Sequence, residues 1–256
     1  MAAETGCADL TLDAFLGGRL HIFQPRRGYR AGIDPVLLAA SVPAKAGQRV
    51  LDLGCGTGVA ALCLAERVSG LALSGLELQP AYAELARRNA ARNGIAFEVI
   101  TGDLARMPQP LRERQFDHVL ANPPYFDRNS SQPAADPGRE TALGEATPLS
   151  QWLRQAARRC APGGYVSIIQ RAERLPELLR EAERHLGTLT LLPIHPRRGR
   201  AARLVIMRAR KGGRAGLRLL DGWVMHDGDA HDIDRENYTA ATTCILRAGE
   251  ALPFPD

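Results

Sequence analysis

The sequence predicts an α/β protein with a Rossmann-like, doubly wound and mostly parallel sheet of seven strands. From residue 49 onward, short apolar runs alternate with amphipathic stretches, which is the pattern of strand–helix–strand units. A glycine-rich turn follows the first apolar run, and right-handed crossovers place the successive strands in one sheet. The hydrophobic share of 45% and the charged share of 24% are those of a globular protein, which excludes a mainly disordered or fibrous chain.

The strands and helices are predicted from apolar runs, periodicity and end signals. Strands are expected at residues 49–53, 71–78, 97–101, 116–121, 165–170, 189–194 and 202–209, the last two as a closing pair joined by an arginine-rich loop. Helices are expected near residues 58–68, 80–93, 149–160 and 176–185. Pro80 marks the start of the second helix, where its missing N–H is not needed, and Gly94 marks its end.

The chain is predicted to consist of one central domain with an addition at each end. The central domain is expected to span residues 46–211, after an N-terminal segment of residues 1–45. Residues 212–256 are expected to form a C-terminal extension that packs on the same domain, with a short strand, an acidic turn and a final helix. Residues 127–147 are polar and rich in turn-forming residues, so a long loop is expected there.

The sequence shows no signal for a membrane, for secretion or for a metal. No apolar run reaches the roughly 18 residues that a membrane-spanning helix needs. The N-terminus lacks a basic region followed by an apolar core, so a cytoplasmic protein is expected. The cysteines are odd in number and form no CxxC pair, which predicts buried thiols rather than a disulfide framework or a metal site. They are Cys7, Cys55, Cys63, Cys160 and Cys244.

Basic residues are concentrated in two stretches of the chain, within a formal net charge of +5. Residues 187–220 contain nine basic residues and no acidic one, and a smaller cluster comprises Arg19, Arg26, Arg27 and Arg30. Clustered arginine suits contact with a phosphate backbone, so residues 19–30 and 197–218 predict an RNA partner. The alternative, which the sequence leaves equally open, is a solvated surface balanced by acidic residues elsewhere.

The glycine-rich turn between the first strand and the first helix is the strongest local signal. Its glycines let the backbone approach a ligand closely. A dinucleotide fingerprint would need glycine where Val59 stands, so the turn lacks the full cradle for a pyrophosphate. It can still hold a nucleoside with a small charged tail, a description that fits S-adenosylmethionine. The candidate cofactor-binding residues here are Asp52, Gly54, Cys55, Gly56, Thr57 and Gly58.

Two acidic residues near the ends of the next two strands strengthen the prediction of a bound nucleoside. Glu77 ends the second predicted strand, where a carboxylate can accept both hydroxyl groups of a ribose. Asp103 follows the third strand and can accept the amino group of adenine, with Leu78 and Leu104 flanking the ring. Because the carboxyl ends of parallel strands meet at one edge of a sheet, these residues are expected to lie close together.

A tetrad of candidate catalytic residues, Asn122, Pro123, Pro124 and Tyr125, directly follows the fourth predicted strand. Because prolines carry no N–H, the segment offers acceptors, namely the Asn122 side-chain oxygen and the Pro123 carbonyl. Two acceptors aligned on the hydrogens of a planar amino or amide nitrogen can draw it toward tetrahedral geometry while it attacks a methyl group. Tyr125 then supplies a ring on which a flat base can stack. The alternative, a rigid turn that merely ends the strand, is less favoured beside a nucleoside site.

These motifs together resemble the class I S-adenosylmethionine-dependent methyltransferases that methylate amino groups, a branch that includes adenine-N6 and protein glutamine-N5 enzymes. The resemblance covers about residues 49–210 and implies a seven-stranded sheet whose last strand is antiparallel. A narrower resemblance lies upstream. Residues 24–30 and 33–38 are similar to the segment before the cofactor turn in bacterial tRNA(Val) adenine-N6 methyltransferases, which helps to close the cofactor pocket.

The narrower resemblance implies that three residues of the N-terminal segment contact the cofactor. They are Gln24, Arg30 and Asp34, of which Arg30 suits the carboxylate of the cofactor. Asp34 is also expected to cap a short helix that Pro35 begins.

The leading hypothesis from the sequence is an S-adenosylmethionine-dependent enzyme that methylates the N6 amine of an adenine in RNA, with tRNA as the expected substrate. Methylation of a protein glutamine or of another amide or amine remains open, because the tetrad suits both kinds of nitrogen. A non-catalytic module that binds the cofactor or RNA is less favoured, as is a dinucleotide-dependent oxidoreductase. Trp152 and Trp223 are interpreted as packing residues, and no oligomeric state is predicted.

Overall fold

The computed structural model describes residues 9–127, 144–145, 147–228 and 237–255. The strands are β1 (Leu10–Phe15), β2 (Leu20–Pro25), β3 (Arg49–Leu53), β4 (Ala72–Glu77), β5 (Phe97–Thr101), β6 (Phe116–Ala121), β7 (Phe126–Asp127), β8 (Gly144–Glu145), β9 (Cys160–Arg171), β10 (Gly187–Arg197), β11 (Leu204–Arg210), β12 (Arg218–Leu219) and β13 (Trp223–His226). The α-helices are α1 (Asp34–Ala40), α2 (Val59–Arg67), α3 (Pro80–Arg92), α4 (Gln109–Arg112), α5 (Leu149–Arg159), α6 (Leu175–Glu183) and α7 (Ala240–Thr243), the last continued by a π-helical turn (Cys244–Ala248).

Nine of these strands form one sheet around a parallel centre. Seven long strands lie in the order β5-β4-β3-β6-β9-β11-β10, and β12 and β13 both pair with the outer edge of β10. Strands β3, β4, β5, β6 and β9 are mutually parallel, whereas β11 is antiparallel to β9 and β10. The predicted doubly wound sheet with an antiparallel last long strand is confirmed. The C-terminal extension adds two short strands where the sequence predicts one.

Different helices cover the two faces of the sheet, because successive residues of β3 point into two apolar cores. Val50 packs with leucines of α1 and α2, whereas Leu51 and Leu53 pack with α5 and α6. All three side chains are fully buried, as expected for a central strand of a parallel sheet. The strand order reverses between β3 and β6, and doubly wound sheets bind ligands in the crevice beyond the carboxyl ends of strands at such a point.

The N-terminal segment folds as a hairpin of β1 and β2 that packs on α3. The side chain of Asn89 bridges the backbone of Phe23, and Asn93 bridges the backbone of His21 near the other end of the hairpin strand. The helix predicted at Asp34 is confirmed. However, Ile33 occupies the N-cap position, and no side chain makes a capping hydrogen bond, so the prediction of Asp34 as the cap was wrong.

The C-terminal extension packs against both the outer strand and the N-terminal helix. Trp223 lies on β13 and donates to Thr242 (3.0 Å), while the Leu252 N–H donates to the carbonyl of Ala40 at the end of α1 (2.8 Å). The division of the chain into three regions stays a prediction. Most of the predicted loop at 127–147, the acidic turn of the extension and Cys7 lie outside the described residues.

Within the described ranges, no helix is both long enough and apolar enough to cross a membrane. The same part of the chain holds no group of three or more potential metal ligands among its histidine, cysteine and acidic side chains. Cys55, Cys63 and Cys160 are buried free thiols.

Candidate cofactor and catalytic site

A cavity of about 200 Å³ opens at the carboxyl ends of β3, β4 and β6, beneath the N-terminal segment. Most of the residues that the sequence nominates line it. They are Arg30, Asp34, Asp52, Gly54, Cys55, Gly56, Thr57, Glu77, Leu78, Asp103, Leu104 and the whole tetrad Asn122, Pro123, Pro124 and Tyr125. Gln24 and Gly58 are the two nominated residues that do not line the cavity. The glycine turn and the tetrad therefore face one shared space.

The glycine turn is shaped by backbone hydrogen bonds to the neighbouring strand. The N–H groups of Gly54 and Cys55 both donate to the carbonyl of Leu76, at 2.7 and 3.0 Å. Gly54 has a φ of +68°, and a Cβ placed on it would lie 2.5 Å from the ring of Trp152. Glycine is required at this position because a side chain would meet both a strained backbone and the indole.

Glu77 binds the turn and still presents its carboxylate to the cavity. Its Oε2 accepts from the Gly56 N–H at 2.9 Å, and its Oε1 accepts from the Gln79 N–H at 2.8 Å. The side chain is buried, and this burial raises the pKa of its carboxyl, while the backbone hydrogen bonds oppose the rise. Each oxygen can accept a further hydrogen bond, so the pair can receive two hydroxyl groups of a ribose.

Asp52 and Thr57 carry buried polar atoms that find no partner within the described chain. The atoms are Oδ2 of Asp52 and Oγ1 of Thr57, and both residues line the cavity. Burial raises the pKa of Asp52 to about 7. Because an unpaired buried carboxylate oxygen is costly, the site suits a ligand that brings a positive charge or a donor. S-adenosylmethionine brings a sulfonium, an ammonium and hydroxyl groups, so the residues present fit it.

The adenine end of the predicted site is formed by the segment after β5. Asp103 caps a short 3-10 turn (Leu104–Arg106) by accepting from the Ala105 N–H at 2.8 Å through Oδ1. No described residue donates to Oδ2 of Asp103, so this oxygen can receive an amino group. Leu104 is buried, whereas Leu78 is half exposed at the mouth of the cavity.

The second half of the tetrad, Pro124 and Tyr125, is held by hydrogen bonds to other parts of the chain. The carbonyl of Pro124 accepts from Nε2 of Gln170 and from Nη1 of Arg174, both at 3.4 Å. The hydroxyl of Tyr125 donates to Oδ2 of Asp34 at 2.5 Å. Among the described residues, none bonds to the side chain of Asn122 or donates to the carbonyl of Pro123. Both residues line the cavity, and within the described part of the chain their acceptor oxygens have no competing partner.

The N-terminal segment supports the site in a way that the sequence does not predict. Gln24 is buried outside the cavity, where its amide accepts from the Ala31 N–H (2.7 Å) and donates to the Ala31 carbonyl (3.1 Å). The amide is thus engaged with the backbone, and the predicted contact of Gln24 with the cofactor stays a prediction. Arg30 lines the cavity, but its guanidinium pairs with Asp13 at 2.6 Å. Binding of a cofactor carboxylate by Arg30 would have to compete with that pair.

Gly58 acts at the start of α2 rather than in the cavity. It is the N-cap residue, with a φ of +87°, and a Cβ there would approach the ring of Phe97 at 3.2 Å. Gly58 does not line the cavity, and its predicted contact with the cofactor stays a prediction. Gly58 is needed for the turn itself and for the close packing of α2.

Three aromatic residues that the sequence motifs do not assign to the site also line the cavity: Tyr29, Tyr82 and Trp152. The Tyr82 hydroxyl accepts from the Tyr29 N–H at 2.9 Å, which ties the N-terminal segment to the start of α3. Trp152 does pack, as interpreted, but against Gly54 inside the site. The sequence does offer a signal for this position. Trp152 lies near the start of α5, the first described helix after the tetrad, and a helix that follows a parallel strand begins at the carboxyl edge of the sheet, where the cavity opens.

Comparison with known proteins identifies the family of this fold and site. The family described as the methyltransferase small domain matches residues 32–190. The chain belongs to this family. A Porphyromonas gingivalis protein named tRNA1(Val) (adenine(37)-N6)-methyltransferase is 34% identical over 179 residues, which are 65% of this chain and 68% of the relative. A protein of the same name from Aeromonas hydrophila is 30% identical and aligns with 76% of this chain and 82% of its own length.

Solved structures show the same architecture. A structure from Agrobacterium tumefaciens, described as a predicted O-methyltransferase, has a TM-score of 0.69 at 27% identity and covers 86% of this chain and 98% of its own. The 16S rRNA N2 G1207 methyltransferase of T. thermophilus, solved with AdoMet and guanosine, has a TM-score of 0.55 at 18% identity, covers 79% of this chain and 50% of its own, and supports the fold alone.

The membership confirms the resemblance drawn from the motifs. The chain is a class I methyltransferase and an enzyme, and S-adenosylmethionine is its cofactor. The non-catalytic alternative is not favoured. The roles of individual site residues stay predictions, supported by their common location around the cavity.

Proposed function

We propose that the protein methylates the exocyclic N6 amine of an adenine in tRNA. The observation that carries this proposal is that Asn122 and Pro123 line the same cavity as Gly56 and Glu77, and that no described residue occupies their acceptor oxygens. The relatives named tRNA1(Val) (adenine(37)-N6)-methyltransferase, at 30% identity or above, support the choice of acceptor.

The chemistry follows from the weak nucleophilicity of an adenine amine, whose lone pair is delocalised into the ring. The side-chain oxygen of Asn122 and the carbonyl of Pro123 would each accept one N6 hydrogen, which turns the lone pair toward the cavity. When bound, S-adenosylmethionine would supply the electrophilic methyl group, so that an N–C bond replaces its S–C bond and S-adenosylhomocysteine is the leaving group. The N6 proton then leaves to solvent, so no strong base is required at the tetrad.

The Tyr125 ring is the proposed stacking surface for the target base. A base inside a duplex cannot reach the tetrad, so the adenine would have to lie in a loop or be flipped out. Tyr125 is half-buried and lines the same cavity as Asn122. Stacking on an aromatic ring contributes about 1–3 kcal/mol for a base.

The surface proposed to hold the RNA backbone is the set of arginines at the carboxyl edge of the sheet. Arg198, Arg200 and Arg203 lie in the β10–β11 loop, and all three are exposed. The Arg203 carbonyl accepts from the N–H of Ala172, directly after β9, which places this loop on the side of the tetrad. Arg26 and Arg27 are exposed near the other side of the cavity. These positions let one RNA strand contact basic residues on both sides of the tetrad.

The direct test is methylation of undermodified tRNA by the purified protein with isotopically labelled S-adenosylmethionine, followed by mass spectrometry of the nucleosides. The proposal expects label in N6-methyladenosine, and transfer that weakens as salt rises, since phosphate contacts release counterions. Transfer to glutamine in a peptide, insensitive to salt, would instead support the amide alternative and overturn the RNA assignment. The cytoplasmic location predicted from the sequence belongs to the same proposal.

A further inference from the structure

A short hydrogen bond joins the N-terminal segment to the proposed catalytic tetrad. The Tyr125 hydroxyl donates to Oδ2 of Asp34 at 2.5 Å, across 91 positions of the sequence. This distance is in the range of hydrogen bonds from a hydroxyl to an ionised carboxylate, which are among the stronger ones in proteins. Both side chains line the cavity, so the bond lies where the base would enter.

The surroundings of the pair keep the proton on the tyrosine. Burial raises the pKa of Tyr125 far above its ordinary value, and the nearby charge of Asp34 raises it further. Burial also raises the pKa of Asp34, whereas the hydrogen bond from Tyr125 lowers it. The phenol is therefore a donor to Asp34 and does not act as a base.

Asp34 is anchored independently of the tetrad. It is the first residue of α1, whose other residues are almost entirely buried against α2 and β9. The end of α1 is fixed by the Leu252 N–H, which donates to Ala40. The tetrad in turn is held at Pro124, whose backbone carbonyl accepts from Gln170 and Arg174. The bond to Asp34 acts on the Tyr125 side chain itself.

We propose that Asp34 is a positioning residue that fixes the plane of the Tyr125 ring through this hydrogen bond, so that the base stacks in the orientation required by Asn122. The inference rests on the proposed function. It also replaces the expected role of Asp34 as a cofactor ligand or a helix cap. Through this hydrogen bond, the N-terminal segment takes part in positioning the substrate base.

The test is a double-mutant cycle of Asp34→Asn and Tyr125→Phe, each of which keeps the shape of its side chain. A hydrogen bond to a charged group contributes about 1.5–3 kcal/mol, so Tyr125→Phe, which removes the donor, is expected to lose roughly ten- to a hundred-fold in kcat/KM for tRNA. Asp34→Asn keeps an uncharged and weaker acceptor oxygen, so it is expected to lose less, about ten-fold. The double variant is expected to lose no more than the worse single variant. Cofactor affinity, measured by calorimetry, is expected to stay within about two-fold.

Asp117→Asn is the matched control. Asp117 accepts a backbone hydrogen bond from Arg49 (2.8 Å) near the start of β3, at the opposite edge of the sheet. This variant is expected to retain the tRNA kinetics of the wild type. Additive losses in the double variant would overturn the proposal, as would an Asp34→Asn variant whose main defect is cofactor affinity.

A spectroscopic measurement separates this inference from the proposed function. The bonded Tyr125 hydroxyl proton is expected as a downfield proton resonance in the free wild-type protein and in Asp117→Asn. It is expected to shift upfield in Asp34→Asn, whose amide oxygen is a weaker acceptor, and to be absent from Tyr125→Phe. Its absence from the wild type would overturn the contact. A wild type that shows the resonance but methylates no tRNA would overturn the substrate assignment and the base-positioning role with it, and leave the contact established.

Discussion

The basic residues of the stretch 197–218 are divided between two edges of the sheet. One is the carboxyl edge, where the parallel strands end, and the other is the amino edge, where they begin. The loop after β10, with Arg198, Arg200 and Arg203, lies on the side of the tetrad. Strand β11 then runs back, and the backbone of Lys211 exchanges two hydrogen bonds with Gly163 and Gly164 near the start of β9, at the opposite edge.

Because β11 runs back across the sheet, basic residues that are close in sequence do not form one surface. Residues 197–218 are predicted to contact RNA, but only the first part of that stretch lies at the carboxyl edge of the sheet. The smaller cluster divides in the same way. Arg26 and Arg27 follow the end of β2 that approaches the cavity, whereas Arg19 precedes the strand. The Arg19 side chain donates to the carbonyl of Leu16 within the hairpin.

The largest expected effect is at the carboxyl edge itself. Asn122→Ala is expected to lower the methylation rate roughly a hundred-fold or more, because one of the two acceptors for the amine is lost. Asn122→Asp keeps an acceptor oxygen and is expected to lose less. Single-turnover kinetics measure the rate, and calorimetry checks that both variants still bind S-adenosylmethionine. Unimpaired transfer by Asn122→Ala would remove the catalytic role proposed for the tetrad.

The two edges can be compared at two left-handed glycines. Gly54→Ala at the carboxyl edge would place a Cβ 2.5 Å from Trp152, whereas Gly47→Ala in the turn before β3 would meet nothing within 4 Å. Both changes strain a positive φ at about 1–2 kcal/mol, and the overpacking at Gly54 adds roughly 1–3 kcal/mol. Chemical denaturation of the free protein measures the difference. Equal losses of unfolding free energy in the two variants would show that the Trp152 side chain moves aside without loss of stability.

Charge removal separates the two arginine groups directly. Arg198→Gln with Arg200→Gln is expected to weaken tRNA binding by about ten-fold and to reduce the salt slope of log Kd by about two, one for each phosphate contact. Lys211→Gln with Arg214→Gln removes the same charge at the amino edge and is expected to leave the slope unchanged. Filter binding over a salt series distinguishes the pairs. Identical behaviour would indicate that RNA contacts both edges.

The smallest expected effect concerns the pH dependence of cofactor binding. Asp52 has a pKa of about 7 in the free protein, with Glu77 nearby, so a cationic cofactor is expected to bind several-fold more tightly at pH 8 than at pH 6. Asp52→Asn should remove most of this dependence. Calorimetry in buffers of different ionisation enthalpy measures the affinity and the proton released. A wild type whose affinity does not change with pH would contradict the assignment.

The same group affects the stability of the free protein with a defined sign. An unfolded aspartate ionises near pH 4, well below the folded Asp52, so the unfolded chain binds fewer protons between about pH 4 and 7. The stability contribution of this group is therefore full at low pH and is lost as the pH rises through about 7, by at most about 4 kcal/mol.

The sequence by itself determined the sheet, the glycine turn and the carboxylates at the strand ends. Asp52, Glu77, Asp103 and Asn122 each lie within two residues of the end of a strand. The strands are parallel, so their carboxyl ends meet at one edge whatever the lengths of the connections. A local pattern of apolar runs is therefore enough to bring these four residues together.

Tertiary structure alone decided the contacts between distant elements. The bond from Tyr125 to Asp34, the packing of Trp152 on Gly54 and the engagement of Gln24 with Ala31 depend on how the N-terminal segment and the helices settle on the sheet. The division of the arginines likewise follows from the reversal of β11. Distances between side chains on different elements result from the packing of the whole core, and no periodicity in one stretch of chain encodes them.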